Sequence, residues 1–469
     1  MTSKSIQLSR RRMLAAGAAT VATARWGQSM GQESATAPIA SVSTSDVDVL
    51  LPRNRVPVSF VIDDSTCLVN MGHFCNPQFA NAWPDRDEYK QPWRDWPREI
   101  PDSFVREFGQ WCADQGVKGK YSIVPYPACV GWLDRELPGW TRRELNASLD
   151  LVRELMVPNW DIHPEMITHT RVIDLKTGRP LDEISNATME NSYPQQKKSV
   201  DELAAYLAYA LKILKNCGLP CEGITTPGGF GNAVKKELPV AVHQAVRDVF
   251  QTELPHYFKY VETGDRSTEP KLENLSGLGT DDVHVTANVL AGTGDWFGGW
   301  QGIRDVQSDR YLTPDGQHGR MAELIQRRQP AVMLCHWPGM YNNGSKTGFR
   351  AFQSIVQSIA SIYGDQTIWM KLSEIGRYWT AKQLTTIKRQ ENTIELNAPF
   401  ATSNFTMQTA SEHRGTVLLR HRDQTTRLRR VRRTVDLNQN TFAQSDQTMT
   451  ICLDLPKGDS RVMMMDDRG

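Results

Sequence analysis

The chain has 469 residues, with 54 Lys and Arg against 53 Asp and Glu and a net charge of +1. That length suits one large domain of roughly 250–350 residues and a smaller one, and the charge balance gives no electrostatic case for nucleic acid. Thirteen Trp and an apolar fraction of 39% indicate a packed core, and the lack of any run near 18 uninterrupted apolar residues excludes an integral membrane segment in the mature chain.

At the N-terminus, Ser9-Arg10-Arg11-Arg12-Met13-Leu14 precedes a weakly apolar run, Met13–Ala24, that ends in small residues. Basic region, short apolar region and Ala22-Thr23-Ala24, in that order, read as a twin-arginine export signal over 1–24. A periplasmic or extracellular protein is therefore expected. Residues 25–50 are rich in Ser, Thr and Ala and read as a flexible leader. Eight cysteines include no CxxC pair, which argues against a structural zinc knot. Most are expected as buried thiols.

Strand and helix then alternate. The expected strands are Val56–Ile62, Val117–Val124, Asn159–His163, Cys221–Thr226, Val283–Leu290, Ala331–Leu334 and Thr367–Met370. Residues 102–115 place Phe104, Phe108, Trp111 and Cys112 on one helical face. Thr141 with Glu144, and Ser199 with Glu202, match the capping box of a helix start. The second opens a helix to about Cys217, with Gly218 as its terminator. Phe352, Ile355, Val356, Ile359 and Ile362 form another apolar stripe, ending near Gly364. Seven βα units over roughly 330 residues suit a closed or distorted barrel, with chemistry at the carboxyl ends of the strands.

One connection, 65–101, is long and carries Trp83, Trp93 and Trp96. It reads either as a surface loop tucked down by its tryptophans or as a wall that stacks sugar rings. Residues 51–385 thus form the α/β body. From 386 to 469 short alternating strands, Thr393–Asn397, Asn404–Thr409, Thr416–Arg420 and Thr448–Leu453, indicate a small β-rich region. Its basic run, Arg427–Arg433, reads as a solvated strand face in a chain that is neutral overall. Residues 463–469 carry no motif and are expected to fray.

Four places carry chemistry. Asp63-Asp64 follows the first strand; adjacent strand residues point to opposite faces, but a turn at the strand end lets both reach one site, and the pair reads either so or as a helix-cap or turn pair. Asp161-Ile162-His163-Pro164-Glu165-Met166-Ile167-Thr168-His169 supplies imidazole nitrogens and carboxylate oxygens, both good ligands for zinc and similar ions. His336 follows an apolar strand and precedes Trp337, which reads as a general acid or as a packed histidine with one hydrogen bond. The loop Thr225-Thr226-Pro227-Gly228-Gly229-Phe230-Gly231 reads as an oxyanion donor or as a tight strand-to-helix turn. It lacks the glycine pattern and lysine of a nucleotide loop.

The order and spacing of these places resemble the polysaccharide deacetylases, the carbohydrate esterases that include chitin deacetylases. Phe60-Val61-Ile62-Asp63-Asp64 resembles that family's first motif, and Leu334-Cys335-His336 its late Leu-x-His motif. Thr168-His169 matches the end of its His-x-x-x-His metal motif. The resemblance covers roughly residues 55–380 through short motifs. It implies a distorted (β/α)7 barrel with a small C-terminal β region. It also implies a divalent metal ion, zinc being expected, and an acylated carbohydrate as substrate.

Carried over residue by residue, the resemblance makes Asp63 the catalytic base, Asp64 and His169 metal ligands, and His336 the acid. The position four before His169 is Glu165, with His163 six before it, so either supplies the third ligand. Gly228 and Gly229 are expected near the oxyanion, and Asp295-Trp296 beside the acid. Thr225-Thr226-Pro227 stands where the family has Arg-x-Pro, so the Arg that orients the base has no counterpart. The alternatives are a non-catalytic carbohydrate-binding barrel and a barrel glycosidase pairing Asp63 or Asp64 with Glu165 or Glu374. Protein partners are not indicated.

Overall fold

In the computed structural model, residues 46–280, 282–445 and 447–465 are described. The export signal and most of the leader lie outside them. The leader ends earlier than the composition indicates. Val47–Val49 is a strand, paired antiparallel with Met407–Thr409, because Val47 fills the apolar core of the C-terminal sheets.

Apart from a small hairpin, Ile173–Asp174 with Arg179–Pro180, nine of the described strands form the two main sheets of the α/β body. They are β1 (Val56–Asp63), β2 (Gly119–Ser122), β3 (Trp160–His163), β4 (Gly223–Thr225), β5 (His256–Phe258), β6 (Lys271–Ser276), β7 (His284–Asn288), β8 (Ala331–His336) and β9 (Thr367–Trp369). A parallel sheet runs β8-β1-β2-β3, with β9 also paired to β1. A second sheet runs β4-β5-β7-β6, in which only β6 is antiparallel. The expected closed circuit is not continuous. Between the sheets, Glu165 meets Thr225 and Asp295 meets Leu334 through isolated parallel bridges. The edge strand β4 is three residues long.

β1 has its Cβ atoms alternating between two buried faces. Phe60 points at the helices, stacked on Phe352 at 4.2 Å and edge-on to Trp160 at 6.2 Å. The helices Asp102–Asp114 and Thr347–Tyr363 cover this face through Phe108 and Phe352. On the other face, Ser59, Asp63, Lys120, Ser122, Asp161 and His163 are all buried. A buried polar layer is stable only if its members satisfy one another. Within it Asp63, Lys120 and Ser122 bond to one another and form one wall of the candidate site.

Both capping boxes form, at Thr141 with Glu144 and at Ser199 with Glu202. Gly218 takes a left-handed φ of 70° after the second helix. Beyond residue 385, ten strands including Val47–Val49 make two five-stranded sheets that share one apolar core. The expected fraying begins too early: Met463–Met465 continue the strand Gly458–Met465, where Met464 is buried. None of the eight cysteines is in a disulfide, and seven are buried.

Candidate active site

β1 and β8 run in register so that His336 lies beside Asp63 at their carboxyl ends. Asp63 is held from the neighbouring strand. The fully buried Lys120 donates to its Oδ1, to the Ile62 carbonyl at 3.0 Å and to Ser122 Oγ at 2.7 Å. Burial and the charge of Glu165 push the Asp63 carboxyl above the usual range, while Lys120 and His336 pull against them. A carboxylate so placed is a better proton acceptor near neutral pH than a free one.

The chain turns at Asp64, whose φ is 58°, and this turn brings the second carboxylate to the same end of the sheet. Met166 and His169 also adopt left-handed φ values, 55° and 63°, so the loop after β3 is locally strained, as functional loops often are. Asp64 donates its N–H to Glu165 Oε2 at 2.7 Å. His169 Nε2 stands 2.8 Å from Asp64 Oδ1 and 3.2 Å from Glu165 Oε1. One nitrogen thus faces two carboxylates, and the three groups converge on a point rather than pair off. Their ligand atoms all lie within 4.8 Å of one another.

Burial alone would drive the proton off His169, but the Asp64 and Glu165 charges outweigh it and lift its pKa well above the ordinary value. Two buried carboxylates around one ring call for a positive charge. Two carboxylate oxygens and one imidazole nitrogen are a ligand set that could hold a metal ion.

A carboxylate far from the motifs fixes this loop. Glu190, fully buried, accepts the backbone N–H groups of Ile167, Thr168 and His169 at 3.1, 3.0 and 2.6 Å, and Tyr206 Oη at 2.5 Å. Burial raises its pKa to about 7 despite these donors. Glu190→Ala orphans three buried N–H groups and the tyrosine hydroxyl. A loss of about 3 kcal/mol or more is expected at roughly 1–3 kcal/mol per stranded group, read as a lowered urea midpoint. An unchanged midpoint would show that the loop holds itself.

His336 has its own carboxylate. Asp295 Oδ2 lies 2.7 Å from His336 Nδ1. Burial disfavours the charged ring, but the Asp295 hydrogen bond and the charges of Asp64, Asp295 and Asp63 prevail and raise its pKa to about 9. The folded value exceeds the unfolded one. The ring's contribution to stability is therefore complete below about 6.5 and lost as pH climbs through about 9.

The remaining expected residues fall elsewhere. His163 is not beside Asp64. It points into the interior, with Nε2 2.8 Å from His256 Nε2 and Nδ1 3.3 Å from Thr225 Oγ1. Burial lowers the pKa of both rings, that of His256 to about 4, so at neutral pH one neutral ring donates to the other. Asp161 lies near this pair but is taken by Ser373, through N–H at 2.7 Å and Oγ at 2.8 Å. Gly229 is not a free oxyanion donor, since its N–H goes to the Asn191 carbonyl at 2.7 Å, and Gly228 packs against the same residue. Trp296 lies under Arg310, 4.2 Å from guanidinium to ring.

Glu374 cannot serve as a distant acid for Asp63 or Asp64. It caps its own helix at Lys371 and pairs with Lys118 at 2.9 Å, at the end of β2 opposite Ser122. From the 65–101 connection, Phe79, Trp83 and Tyr89 pack into one aromatic cluster with Trp300 from a later segment, and Phe79 lies 6.2 Å from the His169 ring. Lys120, Glu190 and His256 escaped the sequence reading. Only Lys120 left a trace there, as a lysine within the expected strand Val117–Val124.

No family model and no curated protein matches the chain. Solved structures give distant likenesses only. A Mycobacterium smegmatis protein assigned as a polysaccharide deacetylase aligns at 12% identity and TM-score 0.38, over 73% of this chain and 98% of that one. The 4-alpha-glucanotransferase of Thermococcus litoralis aligns at 11% and 0.35, over 68% and 40%. The alpha-fucosidase of Thermotoga maritima, in complex with fucose, aligns at 11% and 0.31, over 88% and 97%. At these values the likenesses carry no argument about the site.

Proposed function

We propose that this chain is a metal-dependent hydrolase that removes acyl groups, N- or O-acetyl, from carbohydrate. The observation that supports this reading is one arrangement at the carboxyl ends of β1, β3 and β8. Asp64, Glu165 and His169 converge, beside an aspartate tied to a buried lysine and a histidine tied to an aspartate. Asp64, Glu165 and His169 would hold the ion, zinc by preference. When bound, it supplies a concentrated positive charge that acidifies water and polarises an acyl oxygen.

Asp63 accepts the proton of the attacking water, with Lys120 fixing the carboxylate in place. His336, protonated at neutral pH and oriented by Asp295, delivers a proton to the departing amine or sugar oxygen. The body 51–385 is read as a distorted (β/α)7 barrel opened at two seams, with 386–469 as an accessory β region. Export by the twin-arginine route belongs to the same reading. A mature N-terminus near residue 25, found by sequencing the secreted protein, supports it, and a retained Met1 sinks it.

The test is acetate release from N-acetylated and O-acetylated oligosaccharides, with and without chelator. Chelator and Asp63→Asn should each abolish it, the latter by about 10²–10⁴-fold in turnover. Reducing sugar without acetate would replace this reading with a glycosidase. Undiminished turnover in Asp63→Asn would refute the base.

Asp295→Asn removes the charge hydrogen-bonded to His336 and leaves burial opposed only by Asp64, Asp63 and a neutral acceptor. The alkaline limb of the pH–rate profile should move down from about 9 toward 6.5, with a loss of roughly 30-fold at pH 8 if the pKa falls to its ordinary value. An unshifted limb would mean that another group is the acid.

A further inference from the structure

The C-terminal β region carries a site that the hydrolase reading does not use. The chain passes between its two sheets at Leu428. Gln424–Arg427 is the edge strand of one sheet, and Arg429–Val431 is the edge strand of the other. Leu428 is buried and donates its N–H to the Val417 carbonyl at 2.9 Å. This crossing turns the side chains beside it outward around a pocket of about 420 Å³, lined by Arg414, Thr416, Arg427, Arg429, Arg430 and Phe442.

All four of these arginines are exposed. Arg427 hydrogen-bonds Thr416 Oγ1 at 3.0 Å. Among the described residues no carboxylate lies within ion-pair reach of the four, whereas Arg433, farther along the same run, pairs with Asp436 at 2.8 Å. Four guanidinium groups around one depression repel one another, and nothing in the described fold offsets that repulsion. An anion does so, and the planar guanidinium fork matches a carboxylate with two parallel hydrogen bonds.

We propose that this pocket binds an anionic polysaccharide through its uronate carboxylates. A polymer fits better than a small anion because the positive charge does not stop at the pocket: Arg420, Arg422 and Arg432 are exposed on adjoining segments. Nucleic acid is disfavoured because the one aromatic of the lining, Phe442, is 2% exposed. It offers no face for base stacking.

The test uses the full chain in affinity electrophoresis through gels containing alginate, with neutral dextran, dextran sulfate and a single-stranded oligonucleotide as comparisons. Alginate should retard the protein and dextran should not. Retardation should weaken as salt rises, because exposed charges are screened. Arg414→Gln/Arg429→Gln/Arg430→Gln should weaken alginate binding at least tenfold with an unchanged thermal midpoint. If that variant fails to fold, Arg414→Gln and Arg430→Gln are measured singly, each expected to weaken binding severalfold.

Asp64→Asn should bind alginate as the unaltered protein does, which separates this proposal from the hydrolase reading. Retardation by dextran sulfate alone, equal retardation by neutral dextran, tighter binding of the oligonucleotide, or full binding by the triple variant would each overturn it.

Discussion

Asp64→Asn is expected to keep the fold and weaken zinc binding at least about a hundredfold, measured by calorimetric titration of metal-free protein. Loss of a mere supporting contact at a metal site costs about 10–100-fold, and removal of a charged ligand cannot cost less. The fold should survive because Glu165 Oε1 still faces the His169 ring at 3.2 Å after the change. The metal-free protein should lose some stability at neutral pH, because one of the two charges that hold the proton on His169 is gone. Unaltered zinc affinity would remove Asp64 from the site. Asp63→Asn makes the contrast: it should bind zinc normally and fail to turn over.

Lys120→Met is expected to produce the largest loss of stability. Lys120 is fully buried, and Asp63 nearly so. Removing one partner of a buried pair leaves the other as an uncompensated charge, at a cost of about 3–5 kcal/mol. The Ile62 carbonyl and Ser122 Oγ lose a donor as well. The double variant Lys120→Met/Asp63→Asn should recover most of the loss, since no charge is then stranded. A coupling energy above about 2 kcal/mol in the urea cycle is the expected result. Additive effects would mean that Asp63 and Lys120 do not act as a pair.

Local patterns carried much of the architecture. Val56–Ile62 alternates apolar residues over seven positions, and the strand extends one residue further, to Asp63. The stripe from Phe352 to Ile362 lies inside the helix Thr347–Tyr363. The strand His256–Phe258 was illegible. It is three residues long and follows a proline, and its histidine is buried through a partner, His163, 93 positions away.

The site divides along the same line. Asp63, Asp64, His169 and His336 announce themselves because each ends or follows an apolar run. Glu165 against His163 was undecidable by spacing alone. The strand alternation settles their placement: His163 points inward from β3, whereas Glu165 lies beyond the strand end, where the loop strained at Met166 and His169 turns it toward Asp64. Lys120 and Glu190 act through contacts 57 and 21–23 positions away, which no local pattern records.

The most direct measurement is anomalous diffraction from crystals of the zinc-loaded protein. One peak is expected, at about 2.0–2.2 Å from a carboxylate oxygen of Asp64, a carboxylate oxygen of Glu165 and Nε2 of His169. No peak there, or a peak instead among Asp161, His163 and His256, would contradict the assignment on which the proposed chemistry rests.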